Sequence, residues 1–131
     1  MCGGAAVTWR SQKQTCVALS SAESEYMALA SACQEAVWLQ RVFQDLGMEI
    51  PIPYDLQVDN KASIAMAGGL HYHGRTKHIS IKFNFVQDLG RDEIVSLNYC
   101  KSENNLGDLF TKPLYADRFI TLRSKIGVDQ I

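Results

Sequence analysis

Residues 20–47, SSAESEYMALASACQEAVWLQRVFQDLG, decide the fold of this chain. Ser20 and Glu23 have the S-x-x-E spacing of a capping box, which marks the start of a helix. Apolar residues then recur at close to helical spacing until Gly47. The segment therefore predicts a long amphipathic helix of about seven turns.

Short strands and helices are predicted on both sides of this helix. Two runs rich in β-branched and aromatic residues precede it, and residues 5–10 and 15–19 are predicted to form a β-hairpin. After it, strands are predicted at 54–58 and 93–100, and helices at 62–67, 78–89, 104–111 and 116–126. Residues 78–89 also fit a strand, but their length favours a helix. The order β-β-α-β-α-α-β-α-α contains no linker or repeat and predicts one α/β domain over residues 1–131, with a mixed sheet.

The composition is that of a globular protein. The 131 residues are 47% hydrophobic and 21% charged, with a formal net charge of -1, so the whole molecule has no overall attraction for a polyanion. No apolar run approaches the roughly 20 residues that a membrane span needs, and no signal pattern begins the chain. We therefore expect no membrane partner and an intracellular location. The four widely spaced cysteines are predicted to be reduced and mostly in the core. Strand or helix spacing also predicts core positions for Trp9, Trp38, Phe83 and Phe85.

The charges are unevenly distributed. Residues 60–87 contain no acidic residue, and they carry a local basic segment. Its candidate nucleic-acid contacts are Asn60, Lys61, His71, His73, Arg75, Lys77 and His78. Such a patch can hold phosphates, and Tyr72 can stack on a sugar or base. Two alternatives remain open: a solvated loop, or a zinc site formed by the three histidines.

Three carboxylates stand where strands end or helices begin. Glu25 is in the first turns of the long helix, Asp59 ends a predicted strand, and Asp108 is early in a late helix. Clustered carboxylates are the oxygen ligands that a two-metal phosphodiesterase needs for Mg²⁺ or Mn²⁺. Each also has a structural interpretation as a first-turn acid or helix cap. Glu23 is assigned the structural role in the capping box.

The motifs around these acids carry a family resemblance. Residues 8–39 (TWRSQKQTCVALSSAESEYMALASACQEAVWL), 57–67 (QVDNKASIAMA), 73–86 (HGRTKHISIKFNFV) and 104–114 (NNLGDLFTKPL) resemble the ribonuclease H domain of copia-type LTR retrotransposon polyproteins. The resemblance implies an RNase H-like fold, with a central mixed sheet flanked by helices. It also implies Mg²⁺- or Mn²⁺-dependent cleavage of the RNA strand of RNA–DNA hybrids, with Glu25, Asp59 and Asp108 as catalytic and metal-binding residues. A protein of this family is expected in the cytoplasm, a virus-like particle or the nucleus.

The chain departs from the family pattern at its start. Family members usually begin with a strand that holds the first metal-ligand aspartate in a D-A-D-W-A-G type segment, whereas this chain starts at Met1-Cys2-Gly3-Gly4-Ala5. We expect the missing strand to impair metal occupancy and to leave an exposed sheet edge. The chain is interpreted as a fragment of a longer polyprotein or a truncated remnant. Three hypotheses follow: a residually active nuclease, an inactive nucleic-acid-binding module, or an assembly module that pairs with an upstream reverse transcriptase segment or with itself.

Overall fold

The computed structural model describes residues 4–14, 17–18, 20–69 and 77–128. Within these residues the chain is mixed α/β, with five α-helices, one 3-10 turn and two strands. In chain order they are α1 (Ser21–Asp45), β1 (Tyr54–Val58), α2 (Lys61–Gly68), α3 (Lys77–Arg91), β2 (Val95–Tyr99), the 3-10 turn Ser102–Asn104, α4 (Asp108–Thr111) and α5 (Ala116–Lys125). None of the helices in this part of the chain is long and apolar enough to cross a membrane.

The chain divides into two compact units. Unit 1 consists of Met1–Thr15 and Cys100–Ile131, and unit 2 consists of Cys16–Tyr99. Unit 2 holds α1, α2, α3 and both strands, whereas unit 1 holds the 3-10 turn, α4 and α5. Of the predicted acids, Glu25 and Asp59 therefore belong to unit 2, and Asp108 belongs to unit 1.

The long helix predicted from residues 20–47 is confirmed as α1. The hydroxyl of Ser20 accepts a hydrogen bond from the backbone N–H of Glu23 at 3.1 Å, as the capping box predicts for this side of the pair. The cap satisfies one of the N–H groups that the first turn of a helix leaves without a partner. After the C-cap at Leu46, Gly47 adopts φ of +72°, a left-handed conformation that glycine takes without strain.

β1 and β2 form a parallel two-stranded sheet, so the predicted mixed sheet is not found within the described residues. Parallel strands need a long crossover connection, and α2 and α3 supply it. The register pairs Val58 with Tyr99 at the end of the two strands. Successive side chains alternate between the two faces. Val58 belongs to the buried face, whereas Asp55 and Asn98 lie on the exposed face, where the Asn98 amide donates a hydrogen bond to the Asp55 carboxylate.

Unit 2 has a hydrophobic core to which its helices and its sheet all contribute. Its buried members are Tyr26, Leu29, Ala30, Cys33, Val58, Phe83, Val86, Leu89 and Val95. The rings of Tyr26 in α1 and Phe83 in α3 stack with centroids 5.5 Å apart, and the Tyr26 hydroxyl donates to the Phe83 carbonyl at 3.2 Å. Because this hydroxyl is buried, its pKa is raised well above its ordinary value. The contact joins α1 to α3 at the centre of the unit.

The cysteines that the structure describes are free and buried, as predicted. They are Cys33 and Cys100, whereas Cys2 and Cys16 lie outside the described residues. Cys33 has no solvent exposure, and this burial raises the pKa of its thiol to about 11. A thiol with a raised pKa is protonated at neutral pH and behaves as a small apolar side chain.

Unit 1 joins residues from the two ends of the chain. The backbone N–H of Ala6 donates to the carbonyl of Ile126 at 2.9 Å. Gly127 has φ of +78° and lies so close to the N-terminal segment that a Cβ added there would be 2.9 Å from the Cβ of Ala5. Both its backbone conformation and this close approach require glycine at position 127.

The hairpin predicted before α1 is wrong for the residues that the structure describes. Of residues 5–10, only the first takes part in a bridge, and none of residues 6–14 is in a strand. Trp9, which is expected in the core, is 66% exposed and stacks on Phe110 with centroids 6.1 Å apart. Two short strands are marginally stable unless a further strand or helix covers their apolar face. Three residues of the second predicted strand, 15–19, lie outside the described residues.

The helix predicted at residues 104–111 is divided in the structure. The 3-10 turn ends at Asn104, and α4 begins only at Asp108. Between them the side chain of Asn105 accepts the N–H of Gly107 at 2.9 Å. An asparagine that bonds to the backbone two residues ahead forms a turn, and this turn competes with a continuous helix.

Candidate functional site

Asp59 lies at the carboxyl edge of the parallel sheet. Because β1 and β2 run in the same direction and Val58 pairs with Tyr99, both strands end at this edge. Asp59 is the first residue beyond β1 and is partly buried. Open α/β sheets bind ligands outside the carboxyl ends of their strands, so this edge is the candidate site of unit 2.

Asn60 and Lys61 begin α2 at the same edge. The side-chain oxygen of Asn60 accepts hydrogen bonds from the N–H groups of Ala62 at 2.9 Å and Ser63 at 3.3 Å, so it acts as the N-cap. Lys61 is exposed, and its Nζ lies 4.7 Å from the centroid of the Tyr99 ring. Their predicted role in nucleic-acid binding stays a prediction. The cap of α2 is a further role for Asn60.

The first turn of α1 contacts the first turn of α2. The hydroxyl of Ser63, which is fully buried, donates to the carbonyl of Ala22 at 3.2 Å. Ala22 directly precedes Glu23, and Ser63 follows Asp59 by about one helical turn. This contact brings the acidic start of α1 close to the sheet edge at which Asp59 stands.

The two glutamates at the start of α1 differ in burial. Glu25, the predicted catalytic residue, is exposed, whereas Glu23 is 3% exposed. Residues two apart on a helix do not share a face, so only one of the two acids can point inward. Glu25 stays a prediction, and Glu23 is a second candidate that the sequence analysis assigned to capping alone. Its helical spacing to Tyr26, Ala30 and Cys33, all buried, is the signal that could have identified it.

Asp108 of unit 1 is a buried carboxylate held by two cations. Its Oδ2 lies 2.5 Å from Arg118 Nη2, and its Oδ1 lies 2.8 Å from Lys112 Nζ. The side chain is only 3% exposed. Arg118 also donates to the carbonyl of Ser102, which ties the start of α5 to the 3-10 turn. Both carboxylate oxygens of Asp108 are therefore engaged within unit 1.

These acids fit a divalent cation unequally. Asp59 and the glutamates of α1 offer the carboxylate oxygens that Mg²⁺ and Mn²⁺ prefer. Asp108 does not fit as a ligand in the described arrangement, because each of its oxygens already carries a cationic partner. In the part of the chain that the structure describes, no group of three or more His, Cys, Asp or Glu side chains is placed to hold a metal ion.

Part of the predicted basic segment lies outside the described residues. His71, His73 and Arg75 lie outside the described residues, and Lys77 and His78 are in the first turn of α3. Their predicted contacts with nucleic acid, and the alternative zinc site, stay predictions.

Many proteins of different function are mixed α/β chains with an acidic residue at the carboxyl edge of a parallel sheet. Comparison with known proteins identifies relatives of this chain. The chain is 31% identical over 125 residues to the retrovirus-related Pol polyprotein from transposon TNT 1-94 of Nicotiana tabacum, which covers 95% of this chain and 9% of the polyprotein. It is 30% identical over the same share of its length to the polyprotein from transposon RE1 of Arabidopsis thaliana, of which it spans 8%. Homologues of this chain are thus retrovirus-related Pol polyproteins from plant transposons.

A shorter similarity concerns a different protein. Over 36 residues, which are 28% of this chain and 25% of the relative, the chain is 69% identical to secreted RxLR effector protein 161 of Plasmopara viticola. No family model matches the chain. No solved structure matches it either.

Proposed function

We propose that this chain is a retrotransposon-derived domain with an RNase H-like fold that binds RNA–DNA hybrids and cleaves their RNA strand with a divalent cation. One observation carries the proposal. A stretch that covers 95% of the chain is 30 to 31% identical to segments of Pol polyproteins from plant transposons. The carboxyl edge of β1 and β2, where Asp59 stands, supports it, since a phosphodiesterase of this kind needs acids at adjacent ends of strands and helices.

In this proposal the acids of unit 2 hold the cation. Asp59 supplies one set of oxygens, and Glu23 or Glu25 supplies the other from the start of α1. A bound divalent cation supplies activation of a water and stabilisation of the leaving oxygen. Lys61 adds a positive charge beside Asp59, which favours the approach of a phosphate backbone.

A cleavage assay tests the proposal. A hybrid with a fluorescent RNA strand is incubated with the full chain in Mg²⁺ or Mn²⁺, and product is resolved by length. We expect Asp59→Asn to reduce the rate by about 100-fold or more, since losing a cation ligand removes several kcal/mol of transition-state stabilisation. Glu23→Gln and Glu25→Gln, tested separately, identify which glutamate takes part.

Asp55→Asn is the matched control. Asp55 is an exposed aspartate near the start of β1, about 13 Å along the chain from Asp59, and it bonds to Asn98, so its loss is expected to leave cleavage unchanged. Absence of product from the unaltered chain in both cations, or equal effects of the two aspartate variants, contradicts the proposed activity.

A second candidate is a hybrid-binding module without cleavage. The engagement of both Asp108 oxygens by Arg118 and Lys112 favours it, because a carboxylate held in this way is not available as a ligand. Hybrid binding at low salt with no product in either cation distinguishes this function from the first. Contact with an upstream reverse transcriptase segment and self-association through a sheet edge stay proposals of the same kind.

A further inference from the structure

An exposed aromatic ring stands at the carboxyl edge of the sheet, beside a cation. Tyr99 is the last residue of β2 and is 48% exposed. It pairs in register with Val58, the residue before Asp59. The ammonium of Lys61 lies 4.7 Å from the centroid of its ring, within the range of a cation–π interaction. The Tyr99 ring, the Lys61 ammonium and the Asp59 carboxylate thus belong to residues at the same edge of the sheet.

The exposure of Tyr99 contrasts with the rest of its face. Alternate residues of a strand share a face, so Tyr99 follows Val95 and Leu97. Val95 is 4% exposed and Leu97 packs against the core, but the face is no longer covered at Tyr99. Large aromatic side chains that remain half exposed beside charged groups are typical of binding surfaces.

We propose that Tyr99 and Lys61 form a nucleotide-contacting pair for the strand that is bound at Asp59. The ring stacks on a base or sugar, and the ammonium binds the adjacent phosphate. The inference rests on the proposed function of the same edge, and it adds Tyr99, which the sequence analysis did not assign. Because the two groups are 4.7 Å apart, one nucleotide can reach both of them.

The chemistry predicts a contact without base specificity. Every base presents a π-face, so stacking on an aromatic ring tolerates any sequence. A lysine ammonium acts on a phosphate as a point charge, and each such contact adds to the salt dependence of binding. The pair therefore contributes affinity and position along the strand, as a domain that acts on hybrids of any sequence requires.

Binding of a fluorescein-labelled RNA–DNA hybrid to the full chain, followed by anisotropy in EDTA, tests the inference without cleavage. We expect Tyr99→Leu to weaken binding about 5- to 160-fold, the range that corresponds to the loss of a stacking aromatic. Tyr99→Phe keeps the ring and is expected to bind within about twofold of the unaltered chain. Lys61→Met is expected to weaken binding and to lower the slope of log K against log salt by about 1.

Trp38→Leu is the matched control for loss of an exposed ring. Trp38 is 54% exposed on α1 and lies about 24 Å further along the helix than Ala22, which contacts α2. We expect its loss to leave hybrid affinity unchanged. Equal weakening by Trp38→Leu and Tyr99→Leu shows a general loss of structure and overturns the assignment of Tyr99.

Different experimental results would contradict the nucleotide-contacting pair and the proposed cleavage function. If Tyr99→Leu binds like the unaltered chain, or if Lys61→Met leaves the salt slope unchanged, the nucleotide-contacting pair is refuted, whatever the cleavage assay gives. Lys61 is on the surface, so its variant keeps this test valid even where Tyr99→Leu unfolds. If Asp59→Asn abolishes cleavage while Tyr99→Leu binds normally, the proposed function stands alone. If the unaltered chain does not bind the hybrid at low salt, both are overturned.

Discussion

Arg118 and Asp108 form an ion pair within unit 1, with Nη2 and Oδ2 2.5 Å apart. The carboxylate is almost fully buried, and the guanidinium is two-thirds buried. A pair of this kind contributes little net stability compared with apolar side chains, but the loss of one partner leaves an unpaired charge in the interior.

Replacement of Arg118 is therefore expected to destabilise the chain. Among the described residues, Arg118→Met leaves the buried carboxylate of Asp108 with Lys112 as its remaining cationic partner. We expect the free energy of unfolding to fall by about 3 kcal/mol, the lower end of the range for breaking a buried pair, because Arg118 is one-third exposed. Urea denaturation at neutral pH measures the change.

Lys112→Met is the control for this prediction. The Lys112 side chain is 50% exposed, so its pair with Asp108 is expected to contribute less than about 1 kcal/mol. If the two variants lose equal stability, the assignment of Arg118 as the main partner of Asp108 is wrong.

The N-cap of α2 provides a second prediction. Asn60→Ala removes the oxygen that accepts the N–H groups of Ala62 and Ser63, and we expect a loss of about 1 kcal/mol in unfolding free energy. Asn60→Ser keeps a capping oxygen and is expected to lose only a few tenths. Thermal and urea unfolding of both variants measure the difference, and a normal hybrid affinity for Asn60→Ser separates the cap from nucleic-acid binding.

A third prediction concerns stability at high pH. Burial raises the pKa of Cys33 from its ordinary value of 9.0 to about 11, so above pH 9 the unfolded chain releases this proton while the folded chain keeps it. The folded state then binds more protons, and stability falls as pH rises, by about 1.4 kcal/mol per unit. We expect a loss of about 2 to 3 kcal/mol between pH 9 and pH 11.

The comparison with Cys33→Ala isolates this contribution. Tyr26 also has a raised pKa, but it is present in both chains. The variant starts less stable because of the cavity, but its stability is expected to decline less steeply above pH 9. Parallel curves of unfolding free energy against pH for the two chains refute the role of Cys33.

The close approach at Gly127 gives a fourth prediction. Gly127→Ala combines a positive φ with a Cβ 2.9 Å from the Cβ of Ala5 and 2.9 Å from the carbonyl oxygen of Gly4. Gly47→Ala has a similar φ of +72° but meets nothing within 4 Å. We expect the control to lose about 1 to 2 kcal/mol from its left-handed conformation, and Gly127→Ala to lose more. Equal losses in urea unfolding contradict the contact between the two ends of unit 1.

The elements that the sequence predicted best are those with a local signal. The capping box and the helical spacing of apolar residues both lie inside α1, and strict alternation over residues 54–58 marks β1. Residues 5–10 show the same strand pattern, but a strand also needs a partner, and the sequence of the segment does not contain that information. For the same reason Trp9 and Trp38 are exposed although their spacing predicts core positions, whereas Phe83 is buried as predicted.

The candidate site was predictable to a similar extent. The position of Asp59 follows from the end of an alternating strand, and the structure places it at the carboxyl edge of the sheet. The distinction between Glu23 and Glu25 depends on which face of α1 meets the core. Because the capping box already explains an acidic residue at position 23, the sequence gives no separate reason to expect Glu23 to be buried. The pairing of Asp108 with Arg118 could not be predicted, because no periodicity relates α4 to α5.

The hydrogen bond between Ala6 and Ile126 joins two residues that are about 120 positions apart in the chain. Closing a loop of about 120 residues costs about 4 kcal/mol of chain entropy if the residues between are free. Unit 2 is one continuous stretch, so it can assemble while the residues after Tyr99 are still on the ribosome. Once it has folded, the loop between the two partners contains far fewer free residues, and the remaining entropy cost is smaller. We therefore expect the segment around Ala6 to dock last, after α5 has left the ribosome.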